Sequence, residues 1–308
     1  MKKEKRNLEF FNTFKTRFTP DPLVSNYDPK DFGVLRKPIE TKCGKYVMRG
    51  FDYNPDSEIK DAIVVFAHGM WSTVDSYNQD ICYLCQNGFE VVSFNDIGVG
   101  PSDGKNTIAL GNTLKSVDAV IKYVKSQEKY KSRKIYIMGH SWGAHAACNI
   151  IYYHPNIEKV VAMAPYISGY RLAKSYSPTH NKFLSFLFMV VDFFKVGHYA
   201  TRSSLKSLKH YKGKVLILHS KNDPLVNFES HTKLVMEKFP NLNYIINENR
   251  GHNPNYTDES ISNLNKYLTE SKNLNPEEKE ELKKKTNFLK MGELDPIVMD
   301  KIVDFLKS

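Results

Sequence analysis

Lys134-Ile135-Tyr136-Ile137-Met138-Gly139-His140-Ser141-Trp142-Gly143-Ala144-His145-Ala146-Ala147-Cys148 reads as a strand, a tight turn and a helix in immediate succession. Lys134 to Met138 is a short run rich in β-branched and aromatic side chains, as a buried strand requires. The alanines at 144, 146 and 147 let a helix start close to that strand, with unpaired backbone N–H groups in its first turn. A serine between the two sits in a strained turn, where larger residues two positions to either side would collide across it. Glycine at 139 and 143 removes those side chains. Chance supplies G-x-S-x-G about once in sixteen chains of this composition. The strand before and the helix after give this match its weight.

The same alternation runs outward in both directions. Ala62–Ala67, Phe89–Phe94, Val160–Met163, Lys214–Leu218 and Asn243–Ile246 are further apolar runs. Helical patterns separate them: about Thr73–Gln86, Ile108–Ser126, Trp142–Tyr153, Phe228–Phe239 and Glu259–Leu268. Continuous apolar strands with helices between them predict an α/β fold, a mostly parallel central sheet covered on both faces. Pro38–Tyr53, around Cys43-Gly44-Lys45, predicts an antiparallel hairpin at one edge. Pro165–Tyr211 is too long for a plain connection. The division expected is an N-terminal extension (1–35), a first core part (36–164), a helical cap (165–210), a second core part (211–272) and a charged helical extension (273–308). The apolar positions Ile297, Val298, Ile302, Val303, Phe305 and Leu306 should dock the chain's end on the domain.

Composition narrows the function. The net charge of +10 is scattered among acids rather than gathered in a stripe, so nucleic acid is not an expected partner. Cys82 and Cys85 form C-x-x-C without a second pair, so no metal is expected and the thiols read as small buried residues. The basic start Met1–Arg6 leads into phenylalanines without an uninterrupted apolar core, which does not fit a secretory signal. Such a stretch more often packs on the body of its own domain, with weak association with a membrane surface as the other reading. No run of about 18 apolar residues predicts a spanning helix. A cytoplasmic protein, at most peripheral to a membrane, is the expectation. Asp96–Gly104 lacks the third glycine of a dinucleotide loop, so no cofactor is expected.

A serine hydroxyl needs a base to become a nucleophile. With serine first, the order in such a sheet is nucleophile, acid, histidine. Asp223 lies just past the run ending at Leu218, and His252 follows the last run. Both fall at carboxyl ends of strands, where open α/β sheets build their sites. His140, His145, His219 and His231 read as structural, and Asp192 as a weaker rival for the acid. An oxyanion needs two donors: the backbone N–H of Trp142, and that of Met70 in His68-Gly69-Met70-Trp71, ahead of a capping box at Ser72–Asp75.

His68-Gly69-Met70, Asp96-x-x-Gly98-x-Gly100-x-Ser102, Gly139–Gly143, Asp223 and Gly251-His252 together resemble the α/β-hydrolase superfamily over roughly Pro38–Lys272. The likeness is nearest to its monoacylglycerol lipase, carboxylesterase and serine aminopeptidase-like branch, which carries one cap after the sixth strand. It implies Ser141 as nucleophile, His252 as base, Asp223 as orienter, and Met70 and Trp142 as oxyanion donors. The loop departs from the usual D-x-R-G-x-G at Ile97-Gly98. The apolar segment Phe183–Phe194 predicts a greasy wall from Trp71, Phe183, Phe186 and Leu187 over an acyl substrate. The expected activity is a serine esterase or lipase-like hydrolase acting on a small-molecule acyl ester. Acyl transfer, aminopeptidase activity and a silent binding role are the alternatives.

Overall fold

The computed structural model describes residues 10, 12–20, 27–177 and 180–308; the basic start Met1–Arg6 lies outside them. Eight strands form one sheet: β1 (Arg36–Cys43), β2 (Tyr46–Tyr53), β3 (Ala62–Ala67), β4 (Val91–Phe94), β5 (Lys134–His140), β6 (Lys159–Met163), β7 (Lys214–Ser220) and β8 (Asn243–Asn247). Their order is β1-β2-β4-β3-β5-β6-β7-β8. The β1–β2 hairpin joins β4 antiparallel, and every other pairing is parallel. This is the α/β-hydrolase fold, a mostly parallel sheet with a cap after the sixth strand.

The helices are α1 (Asn78–Gln86), α2 (Asn112–Ser126), α3 (Trp142–Ile150), α4 (Gly169–Tyr176), α5 (Lys182–Val196), α6 (Ser204–Ser207), α7 (Thr232–Lys238), α8 (Asp258–Glu270), α9 (Pro276–Lys285), α10 (Phe288–Met291) and α11 (Pro296–Lys307). Alternate residues of the strands enter two cores. On one face Ile63, Val65, Ile137 and Val160 pack with α2 and α3. On the other, Val64, Phe66, Met138 and Val161 pack with α1 and α11. The last helix buries Val298, Met299, Ile302, Val303 and Leu306, while Ile297 points to solvent. α9 buries nothing, as its Glu and Lys content requires.

Three local differences from the sequence reading have physical causes. α2 begins at Asn112 rather than Ile108, because the N–H groups of Leu110 and Gly111 are taken by the Asp192 carboxylate (2.6 and 3.1 Å). The capping box is one residue later than expected: Ser76 Oγ accepts from the Thr73 N–H (3.1 Å), and Asp75 is drawn away to Arg36. Finally, Lys182–Thr201, made of α5 and the 3-10 turn that follows its Gly197 C-cap (φ 67°), is long and apolar enough to cross a membrane by length and composition alone. Interspersed polar residues hid it from a search for unbroken apolar runs.

Candidate active site

The turn after β5 builds the centre of the site. Ser141 has φ 54° and ψ −107°, a conformation non-glycine residues rarely adopt. Its N–H donates to Met163 O on β6 (2.8 Å), and its C=O accepts from His145 N–H (2.9 Å). The two glycines are sterically required. A Cβ at Gly139 would stand 2.5 Å from the Gly143 carbonyl, and one at Gly143 would stand 2.0 Å from Ala67 O. Helix α3 therefore starts against β3, with Trp142 as its first residue.

Asp223 lies in the loop after β7, its side chain wholly buried. Its Oδ1 accepts from the N–H groups of Leu225 and Val226 (2.8 and 2.9 Å). Its Oδ2 accepts from His252 Nδ1 (2.7 Å) and from His219 Nε2 (3.0 Å). Burial alone would raise this carboxyl; His252 and the hydrogen bonds from both histidines outweigh it and hold Asp223 well below the usual carboxylate range. With Nδ1 committed to Asp223, the imidazole of His252 presents its other nitrogen, and His252 and Ser141 line one cavity. His219 is the partner that sequence reasoning left as structural. It stands four residues before the acid, where a strand end and a turn bring them together.

The other histidines have distinct tasks. Burial, then the nearby His252, pushes His140 down to about 3, so its ring is neutral. Its Nε2–H donates to the His252 carbonyl (2.8 Å), and its Nδ1 accepts from the Tyr77 hydroxyl (2.7 Å). Tyr77 Oη in turn accepts from Gly69 N–H (3.1 Å). This chain of bonds ties the His68–Trp71 loop to the loop of His252. His145 stacks on Tyr166 at 4.1 Å, and His231 Nδ1 accepts from Ile167 N–H (3.1 Å). Asp192 anchors the cap and makes no bond to His252 among the described residues.

Met70 and Trp142 both line the cavity beside Ser141, and a helix's first turn leaves its N–H groups available. The Trp142 indole is fully buried and donates to Leu110 O (2.5 Å). Trp71 also lines the cavity, whereas Phe183, Phe186 and Leu187 do not: they are exposed on the outer side of α5. The greasy wall comes instead from Phe10, Tyr166, Leu172, Tyr176, Leu225 and Val226. Phe10 stacks on Tyr176 at 4.3 Å and belongs to an N-terminal strap. The strap is held by Trp71 Nε1 donating to Thr13 Oγ1 (2.8 Å), by Phe18 bonding with Gly98 and Gly100, and by Arg17, whose guanidinium reaches the carbonyls of Gly100, Ser102 and Gly104. Nothing in local sequence pattern links position 10 to Ser141.

The fold is that of the α/β hydrolases, and the comparisons with known proteins point the same way. Residues 58–196 match the family model Hydrolase_4, described as serine aminopeptidase, S33. No curated protein matches the sequence. Among solved structures, the chain is similar to the Pyrococcus furiosus esterase Pf2001, at 22% identity over 83% of this chain and 98% of that one, with a TM-score of 0.60. It is also similar to Est1E of Butyrivibrio proteoclasticus, solved with ferulic acid bound (17% identity, 75% and 96% covered, TM-score 0.59). A thioesterase domain from the curacin biosynthetic pathway is a third likeness (15% identity, 71% and 94% covered, TM-score 0.51).

Proposed function

We propose that the chain is a serine hydrolase that cleaves carboxylic esters with an apolar acyl group. The observation that carries this reading is the cavity of about 210 Å³ around Ser141 and His252. Its lining is mostly aromatic and aliphatic, with the uncharged polar side chains of Ser72, Ser76 and Asn253, and includes no Asp, Glu, Lys or Arg among the described residues. An aminopeptidase needs a carboxylate to hold the substrate's ammonium group, and among the described residues none lines this cavity. The esterases and the thioesterase among the similar structures are consistent with the reading.

In this mechanism His252 accepts the Ser141 hydroxyl proton as Oγ attacks the ester carbonyl. Asp223 holds the Nδ1–H and stabilises the imidazolium. The backbone N–H groups of Met70 and Trp142 receive the oxyanion, a contribution of about 3–4 kcal/mol per donor. The alkoxide leaves with the proton from His252, giving an acyl-enzyme. Water, deprotonated by His252, then releases the acid and regenerates Ser141.

The test is labelling with a fluorophosphonate probe, followed by an acyl-chain-length panel of soluble esters. Wild type should label, Ser141→Ala and His252→Ala should not, and esters should turn over faster than aminoacyl amides. Folded wild type that fails to label would point to a silent binding protein. Faster turnover of the amides would overturn the ester preference.

A further inference from the structure

Helix α5 is built inside out. At about 100° per residue, Phe183, Phe186, Leu187, Val191, Phe193 and Phe194 share one half of its circumference. All are exposed, from 42% at Leu187 to 82% at Phe194. Its buried residues are Ser185, Asp192 and, at its C-terminal end, Val196, so two of the three are polar. Ser185 Oγ donates back to Asn181 O (2.7 Å), and Asp192 grips the Leu110 and Gly111 N–H groups. A helix on a water-facing surface shows the opposite pattern. A contiguous apolar patch of this kind marks a surface that meets something other than water.

The charge around it says what. Between 165 and 210 the chain has seven lysines and arginines (Arg171, Lys174, Lys182, Lys195, Arg202, Lys206 and Lys209) and one acid, Asp192, which is buried. Lys182 and Lys195 are exposed and fall at the two edges of the apolar half. Long basic side chains there can reach phosphates while their stems lie along apolar surface. We propose that this face of the cap lies on an anionic lipid bilayer. The apolar half of α5 enters the acyl boundary, and Lys182 and Lys195 sit at headgroup level. The Asp192 anchor keeps the inner face of α5 on the protein, so the helix lies on the bilayer rather than crossing it. On that inner side Phe188 packs with Phe10 and Phe14 in the apolar cluster that contains Trp142. One helix thus separates the bilayer from the wall of the cavity.

Co-sedimentation of the full chain with phosphatidylcholine vesicles, with and without phosphatidylglycerol, tests this. Binding is expected with phosphatidylglycerol, weakened by high salt and by its omission. Val191→Glu with Phe194→Glu should lower that binding at least about tenfold, leaving the melting temperature and turnover of a soluble short-chain ester unchanged. Failure of wild type to bind, or equal binding by the variant, overturns the proposal. So does a wild-type dimer in light scattering that the variant makes monomeric without any vesicle binding, because the face would then join two copies of this chain. Binding that persists in a protein with no esterase activity supports the membrane surface and overturns the proposed reaction instead.

Discussion

Asp223 accepts four hydrogen bonds, and the one from His219 is the least expected of them. His219 also donates to Val226 O (2.9 Å), and Thr232 Oγ1 stands 2.6 Å from its Nδ1. Replacing it with leucine leaves buried acceptors without a donor, which costs about 1–3 kcal/mol. Chemical denaturation of His219→Leu should show that loss, together with a lower kcat as the acid loses its fixed orientation. A second buried acid sets a pH dependence. Burial pushes Asp80 up to about 7 against the hydrogen bond from Asn255 (2.7 Å). A carboxyl raised in the fold contributes most below its unfolded value near pH 4, and that contribution is lost as pH rises through about 7. Stability should therefore fall across that window, and Asp80→Asn should flatten the fall in melts taken at successive pH values. At this scale the sequence was most legible where chemistry dictates residue type, as at Gly139, Ser141 and Gly143. The partner His219 was hidden, because a histidine near a strand end carries no mark of what it touches.

Elements far apart in sequence hold the site, and here the sequence was least legible. Phe10 lines the cavity, and along residues 12–18 of the same strap Arg17 fastens it to the Asp96–Gly104 loop. That loop lacks the arginine of a D-x-R-G-x-G pattern, and a guanidinium from another part of the chain reaches its carbonyls. Phe10→Ala removes an aromatic surface from the cavity that Ser141 lines. In a chain-length panel the preferred acyl group should lengthen, and an unchanged profile would remove Phe10 from the cavity wall. The loop of His252 is fixed in a similar way. Arg250 pairs with Asp295 (2.7 Å), the N-cap of α11, and with Asp258 (3.0 Å). Arg250→Ala should thus reduce kcat more than it changes KM, since it loosens His252 and leaves the cavity lining intact. The hydrophobic period of α11 revealed that it docks. It could not reveal that its cap reaches the histidine loop.

Across the whole molecule, two apolar layers clamp the centre of the sheet, while the C-terminal region carries a helix with no buried side chain. Stability is therefore uneven. Amides of β3, β5 and β6 should exchange with deuterium only through global unfolding, and those of α9 should exchange soonest. Equal protection of α9 and β5 would refute this gradient. The layers were legible because continuous apolar strands alternate with helices. The exposed face of α5 was not, since apolar composition fits a buried helix as well as one facing outward.

The backbone at Ser141 has one last implication, which concerns durability rather than catalysis. An L-residue held at φ 54° is costly, and glycine adopts that geometry freely. Ser141→Gly should therefore outlast both wild type and Ser141→Ala on heating, by about 1–3 kcal/mol. The most heat-resistant form of this protein would be one without the hydroxyl proposed to attack an ester. Such a form would serve as a stable vessel for capturing an intact substrate.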